Sequence, residues 1–431
     1  MLDIKLIREK PDLVKKKVKE RGYDSDINKL LTLDKKWRKI KEESDKLRAR
    51  RNDVSKEISD LKKSGKNADK FIKEAKKIPE ELARIESKLS VLEKERDEIW
   101  QGMPNLQDDS VPIGGVEKNK VIRQWGKIPK FKFKIKSHTE LLENLGLLDL
   151  KRAAKLSGSG FYMLRGDLAR LERALIQFMI DFHAKDNFEE INPPNLINAK
   201  TAFGTGNLPK FEQDLYKTRE GIYLIPTAEV PVTNLYADEV VEEKKLPMKF
   251  VSFTQCFRTE AGKHGSETPG IFRLHQFEKV EMVYICKPED SHKFHEEMTA
   301  RAEKLLKMLK IPYRRVLLAT ADAGFASAKT YDLEVWSPSL KKYIETSSCS
   351  NCTDFQARRM NTKFIENKTG ERKFVHTLNG SGLATPRLLI SLVENNQQKD
   401  GSIKIPNILA PYMGGRKFIG KKEKGKRARK K

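Results

Sequence analysis

Cys256 to Met282 reads C-F-R-T-E-A-G-K-H-G-S-E-T-P-G-I-F-R-L-H-Q-F-E-K-V-E-M. Phe257, Arg258 and Glu260 close one apolar run, and Ile271, Phe272, Arg273, His275, Phe277, Val280 and Glu281 open another. Gly262, Gly265, Pro269 and Gly270 interrupt the chain between them. This pattern predicts two antiparallel strands joined by a long loop. Two arginines, an aromatic ring and two carboxylates would then lie near each other on one sheet face. Such a set suits a ligand carrying a polyphosphate, a flat base and an ammonium group. No Walker-type loop is present, since Gly262-Lys263 and Gly265-Ser266 lack its spacing. Phosphates would have to be held by side chains. Arginine fits that task, because its planar fork grips two oxygens and stays charged.

Length and charge frame the rest. A chain of 431 residues has room for two or three domains. The net charge of +25 favours a polyanionic partner, most economically nucleic acid. Four cysteines, Cys256, Cys286, Cys349 and Cys352, suit a reducing compartment better than a disulfide framework. The N-terminus lacks the apolar core of a signal peptide, and no stretch is long enough to span a membrane. A soluble cytoplasmic protein is expected.

A short helix is expected up to about Gly22. Then Leu33, Trp37, Ile40, Ser44, Leu47, Arg51, Val54, Ile58 and Leu61 alternate steps of three and four, a heptad seam. Ser64 to Asn67 is a turn, and Phe71, Ala75, Ile78, Leu82, Ile85, Leu89, Leu92, Arg96 and Ile99 form a second seam. Two seams around one turn predict an antiparallel helical hairpin, roughly 50 Å long at 1.5 Å per residue. Coiled-coil hairpins commonly serve oligomerisation. Here the tip is rich in Arg48, Arg50, Arg51, Lys56, Lys62, Lys63, Lys66, Lys70 and Lys73, which favours a nucleic-acid arm. Pro79 should kink the second helix or mark its start.

The expected domains are 1–108, with the arm at about 28–100, then 109–418, then a disordered basic tail at 419–431. The tail reads as a nonspecific electrostatic segment, with a nuclear address or a specific RNA contact as the other readings. Asp108 to Lys120 is read as the linker, with Pro112 and Gly114-Gly115. Asp167 looks like the N-cap of a helix running toward Lys185. Strands are expected at Phe188–Ile191, Ile222–Ile225, Phe250–Phe253, Gln276–Ile285 and Tyr313–Leu318, and helices at His292–Leu309 and Pro386–Glu394. Few βαβ units occur, so the fold class is α+β: an N-terminal antiparallel helical hairpin, then a domain on an antiparallel sheet flanked by helices.

Cys349-Ser-Asn-Cys352 resembles half of a zinc site, but a second ligand pair is missing; no structural zinc is expected. Ser157-Gly-Ser-Gly160 reads as a turn. Gly380-Ser381-Gly382 precedes a helix carrying Arg387, where anions are welcome.

Taken together, the motifs resemble the seryl-tRNA synthetase family of class II aminoacyl-tRNA synthetases. The resemblance rests on F-G-T-G-N-L-P-K-F at Phe203–Phe211, P-T-A-E-V at Pro226–Val230, R-L-H-Q-F-E-K-V-E at Arg273–Glu281 and E-T-S-S-C-S-N-C at Glu345–Cys352. The helix into Pro193-Pro194, the F-R-T-E segment and N-G-S-G-L-A-T-P-R at Asn379–Arg387 resemble class II motifs 1, 2 and 3.

The resemblance implies a class II synthetase domain, a homodimer, and ATP and serine tRNA as substrates, with the arm reaching the long variable arm of the tRNA. By position it implies ATP contacts at Arg258, Thr259, Glu260, Arg273, Phe277, Glu345, Thr346, Ser347, Ser348 and Arg387. It implies a serine pocket of Thr227, Ala228, Glu229, Glu281 and Ser381, and Mg²⁺ at Glu345 and Ser348. Arg258, Arg387 and Glu345 would be the catalytic set. Pro269 departs from the basic residue usual there, and Lys263 or His264 would compensate. The alternative, a catalytically silent homologue that binds RNA, would be marked by loss of Arg258, Glu260 or Arg387. All three are present.

Overall fold

The computed structural model describes residues 1–260 and 270–420. The expectations for Lys263, His264, Pro269 and residues 421–431 lie outside the described residues. The chain divides into two compact units, Met1–Pro104 and one that begins at Asn105.

In the first unit the heptad spacing builds two long helices, Ile27–Lys63 and Asp69–Gln101. Asp26 caps the first by accepting the Lys29 N–H at 2.8 Å. Val54, Ile78 and Leu82 are buried between the pair, with Leu47, Ile58, Phe71 and Ala75 packed around them. Arg96 is buried in its seam position because its guanidinium lies 4.3 Å from the Trp37 ring. Arg51, counted in the first seam, is instead exposed. A lone guanidinium without an aromatic partner stays in water. Pro79 does not mark the helix start. The helix runs through it on an exposed face, where the carbonyl it leaves unpaired can meet solvent. Lys56, Lys62, Lys63, Lys66 and Lys73 are exposed and make no ion pair among the described residues.

The second unit is organised on one eight-stranded sheet. Its spatial order is Lys120–Trp125, Tyr313–Leu317, Lys329–Ser337, Lys342–Asn351, His376–Ala384, Gln276–Cys286, Met248–Phe257 and Glu189–Glu190. Every pairing is antiparallel except the last. Helices Gly166–Ala184, Ser291–Met308 and Thr385–Asn395 contribute Leu171, Leu175, Met298, Leu305, Leu388 and Leu392 to a core shared with Val280, Met282, Leu333 and Val335. Strand alternation therefore sends Val280 and Met282 inward and Phe277, Lys279 and Glu281 to the opposite face.

Three local expectations need correction. The helix near Asp167 has Arg165 at its N-cap, and Asp167 sits in the first turn, paired with Arg416. Acidic charge is favoured there by the helix dipole rather than by capping. Residues 108–120, expected as a linker, are bonded onto the second unit: Asp108 N–H donates to the Ala328 carbonyl and Gly114 N–H to Thr320 Oγ1. Ile419, assigned to the tail, is buried in a short ribbon pairing Phe418–Ile419 with Ile403–Lys404. Among the described residues no helix is long and apolar enough to cross a membrane.

Candidate active site

The quoted stretch becomes the expected hairpin, with Met248–Phe257 paired to Gln276–Cys286 in continuous register. On the other side, Gln276–Cys286 pairs with His376–Ala384, which sets Glu281 between Ser252 and Ser381. Two glycines allow the close approaches. At Gly380 a Cβ would come within 2.8 Å of Cys349 Sγ and Met298 Sδ. Gly160 has φ +80° and offers its carbonyl to the His275 N–H at 2.9 Å, so the Ser157–Gly160 turn supports the hairpin.

These strands form the floor of a cavity of about 440 Å³, large enough for a nucleotide-sized ligand. It is lined by Thr227, Glu229, Arg258, Glu260, Arg273, Phe277, Glu281, Glu345, Thr346, Ser348, Ser381 and Arg387 among the expected residues. In a regular strand Glu345 and Ser348 would face opposite ways. A register irregularity between Glu345 and Ser347 turns both toward the cavity. Three expected residues do not line it. Thr259 donates instead to the Gln213 carbonyl at 2.6 Å. Ser347 donates to the Ser381 carbonyl at 2.7 Å, bracing the neighbouring strand. Ala228 is buried in an apolar cluster with Val232 and Phe250.

One end is cationic. The Arg258 guanidinium stands 5.1 Å from the Phe277 ring centroid and donates to the Pro226 carbonyl. Arg273 pairs with Glu260 at 3.2 Å, and Arg387 pairs with Glu345 at 3.2 Å. The other end holds two carboxylates. Glu281 Oε2 accepts the Thr227 hydroxyl at 3.0 Å and is paired with Lys279. Glu229 Oε1 accepts both Gln356 Nε2 at 2.8 Å and Asn379 Nδ2 at 3.0 Å. In each group these bonds converge on one oxygen, Oε2 of Glu281 and Oε1 of Glu229. Burial, with the Glu281 charge second, raises the Glu229 pKa to about 7.

Lys279, Gln356 and Asn379 were absent from the sequence-derived set. Lys279 was legible, being two residues from both Phe277 and Glu281 on one strand face. Gln356 was not, because only the tertiary fold brings it to Glu229. Cys349 and Cys352 are buried, and Cys352 Sγ lies 3.6 Å from Asn379 Nδ2.

Glu345 and Ser348 are hard oxygen donors on the cavity wall. Behind them Asp332, across the ladder from Ser348, has a buried Oδ1 without a hydrogen-bond partner among the described residues. Among the described residues no group of three or more His, Cys, Asp or Glu could hold a metal ion alone. This donor set fits Mg²⁺, which keeps waters and takes phosphate oxygens rather than filling an all-protein cage.

Two family models match the chain. Residues 1–107 match the seryl-tRNA synthetase N-terminal domain, and 210–396 match the class II tRNA synthetase core domain of the G, H, P, S and T enzymes. A serine–tRNA ligase from Hahella chejuensis is 48% identical, covering 97% of this chain and 99% of that one. The chain belongs to the seryl-tRNA synthetases. A serine–tRNA ligase of Macrococcus caseolyticus is likewise 48% identical, over 97% of this chain and all of its own. Among solved structures, the seryl-tRNA synthetase from Pyrococcus horikoshii complexed with ATP superposes with TM-score 0.87 at 38% identity, covering 97% of this chain and 99% of that one. A cytoplasmic serine–tRNA ligase from Naegleria fowleri in complex with AMP gives TM-score 0.83 at 32% identity, covering 97% and 98%.

The raised Glu229 pKa carries a stability signature. The folded chain holds this proton up to about pH 7, against about 4.5 for an ordinary glutamate. The stabilisation is therefore complete below about pH 4.5 and is lost as pH rises through about 7. Glu172, raised to about 7 by burial and by Glu278, adds a parallel loss. Thermal melts of ligand-free protein should fall between about pH 4.5 and 7, and Glu229→Gln should remove its share, on the order of 3 kcal/mol. Equal falls in both proteins would contradict the assignment.

Proposed function

We propose that the cavity activates L-serine with ATP and passes it to the 3′ end of serine tRNA. The observation that carries this is the pairing of a three-arginine end with a two-carboxylate end in one cavity. The base stacks on Phe277 beside Arg258, with Glu260 on the adenine side. Arg258 takes the α-phosphate, and Arg273 and Arg387 take the β and γ phosphates. Both of those arginines are released from their carboxylates as phosphate replaces them. Glu345 and Ser348 would hold Mg²⁺, which when bound supplies positive charge to the phosphate oxygens.

Thr227, Glu229, Glu281 and Ser381 receive serine, its ammonium and hydroxyl meeting the two carboxylates. The serine carboxylate oxygen attacks the α-phosphorus in line, and the bond to the β-phosphate oxygen breaks. The protein supplies position and positive charge, with no nucleophile of its own. The ribose 3′-hydroxyl of the tRNA then attacks the carbonyl carbon of seryl-adenylate, and AMP leaves. Alanine is rejected because it leaves buried polar groups unpaired.

Residues 1–108 act as the tRNA-binding domain, with the basic arm contacting the backbone of the long variable arm. A homodimer is supported by the edge strand Lys120–Trp125, whose Val121 and Ile122 are both exposed. Four cysteines, in no disulfide among the described residues, suit the cytoplasm.

Purified protein should exchange pyrophosphate into ATP with serine and not with alanine. Absence of exchange with serine, or equal exchange with alanine, would refute the assignment. Deleting residues 30–99 should leave exchange largely intact and abolish tRNA charging. An equal fall in both would make the arm structural.

A further inference from the structure

From Lys118 to Lys136 the chain carries eight lysines and arginines and no aspartate or glutamate. Its second half, Lys127 to Lys136, belongs to no strand or helix, yet it is fixed at both ends. At one end Gly126 lies against Pro312, and Trp125 stacks on Tyr313. At the other, Lys136 N–H donates to Gln397 Oε1 at 2.8 Å, and Gln397 Nε2 returns a bond to the Lys136 carbonyl at 3.1 Å. Between these points exposure alternates. Lys130, Lys132 and Lys134 are exposed, whereas Phe131, Phe133 and Ile135 are half-buried. The two phenylalanines pack edge to face at 5.3 Å, a rigid backing for the lysines.

The charge here is unbalanced. Arg123 pairs with Glu303, and Lys136 with Glu140. Lys127, Lys130, Lys132 and Lys134 make no ion pair among the described residues. An ordinary solvated face mixes both signs; this one presents a single sign along an anchored track. The track leads to the active site. Two residues past Lys136, His138 is buried against Glu394, its ring lies 5.1 Å from Phe272, and its Nε2 meets the Ile271 N–H at 3.5 Å. Phe272 and Ile271 are part of the cavity wall.

We infer that Lys127 to Lys134 is a contact surface for an RNA sugar–phosphate backbone, guiding the acceptor end of the tRNA toward the Phe272 wall. The inference rests on the reading of the cavity as a tRNA-charging site. It adds a second electrostatic contact, independent of the helical arm. Backbone contacts of this type give affinity and register without reading bases, and each released counterion shows in the salt dependence.

The test is a full-length variant with Lys130→Ala, Lys132→Ala and Lys134→Ala, compared with wild type. Serine-dependent pyrophosphate exchange should be unchanged. The KM for tRNA should rise at least about tenfold, and the slope of log affinity against log salt should shrink by about 3. Unchanged charging with an unchanged slope would overturn the inference and leave a solvated face. A variant of halved mass in sedimentation would also overturn it, because the lysines would then hold a second copy of the chain. Loss of exchange together with charging would overturn it by placing the segment in the fold of the cavity. If wild type itself fails to charge tRNA, the proposed function fails rather than this contact.

Discussion

Two carboxylates, Glu229 and Glu281, share one end of the cavity, and the site is built around tolerating that. Glu281 is buried, and Glu229 stands close enough to feel its charge. Like charges in low dielectric repel strongly, so the pair must be neutralised by partners or by a proton. The protein uses both. Lys279 and Thr227 hold one oxygen of Glu281, and Gln356 and Asn379 hold one oxygen of Glu229, whose pKa rises to about 7. On the proposed reading the unfilled part of this arrangement is a cation, and the ammonium of serine would supply it.

The sheet makes such a state affordable. Glu281 lies on a strand paired on both sides, and that strand's other face sends Val280 and Met282 into the main core. Behind it, Tyr162 bonds both Glu172 and Glu278, and Thr385 also donates to Glu172. This ties the Gly166–Ala184 helix, the central strand and the helix start that carries Arg387. Arg258 directly follows the Met248–Phe257 strand, Arg273 lies three residues before the Gln276–Cys286 strand, and Arg387 sits in the first turn of that helix, so each is carried next to the end of a fixed element.

Much of this was legible in the sequence. The hairpin around Arg258 and Arg273 follows from two apolar runs and the breakers between them, and the arm follows from its heptads. The parts that were not legible have physical reasons. Arg51 and Arg96 occupy equivalent seam positions, but only Arg96 finds a tryptophan face, a contact made across the two helices. Strict alternation could not reveal that Glu345 and Ser348 share a face, because a register irregularity between them breaks the period. Thr259 and Ser347 sit inside recognisable motifs yet spend their hydroxyls on neighbouring carbonyls. Motif membership located the neighbourhood, and hydrogen bonding decided which side chains face the ligand.

The central claim is that substrate ammonium replaces a proton on Glu229. Calorimetric titration of serine near pH 7, repeated in buffers of different ionisation enthalpy, measures it directly. With a Glu229 pKa of about 7, roughly half a proton should be released per serine bound, and Glu229→Gln should abolish that release. Serine binding without proton release in wild type, or with proton uptake, would contradict the account.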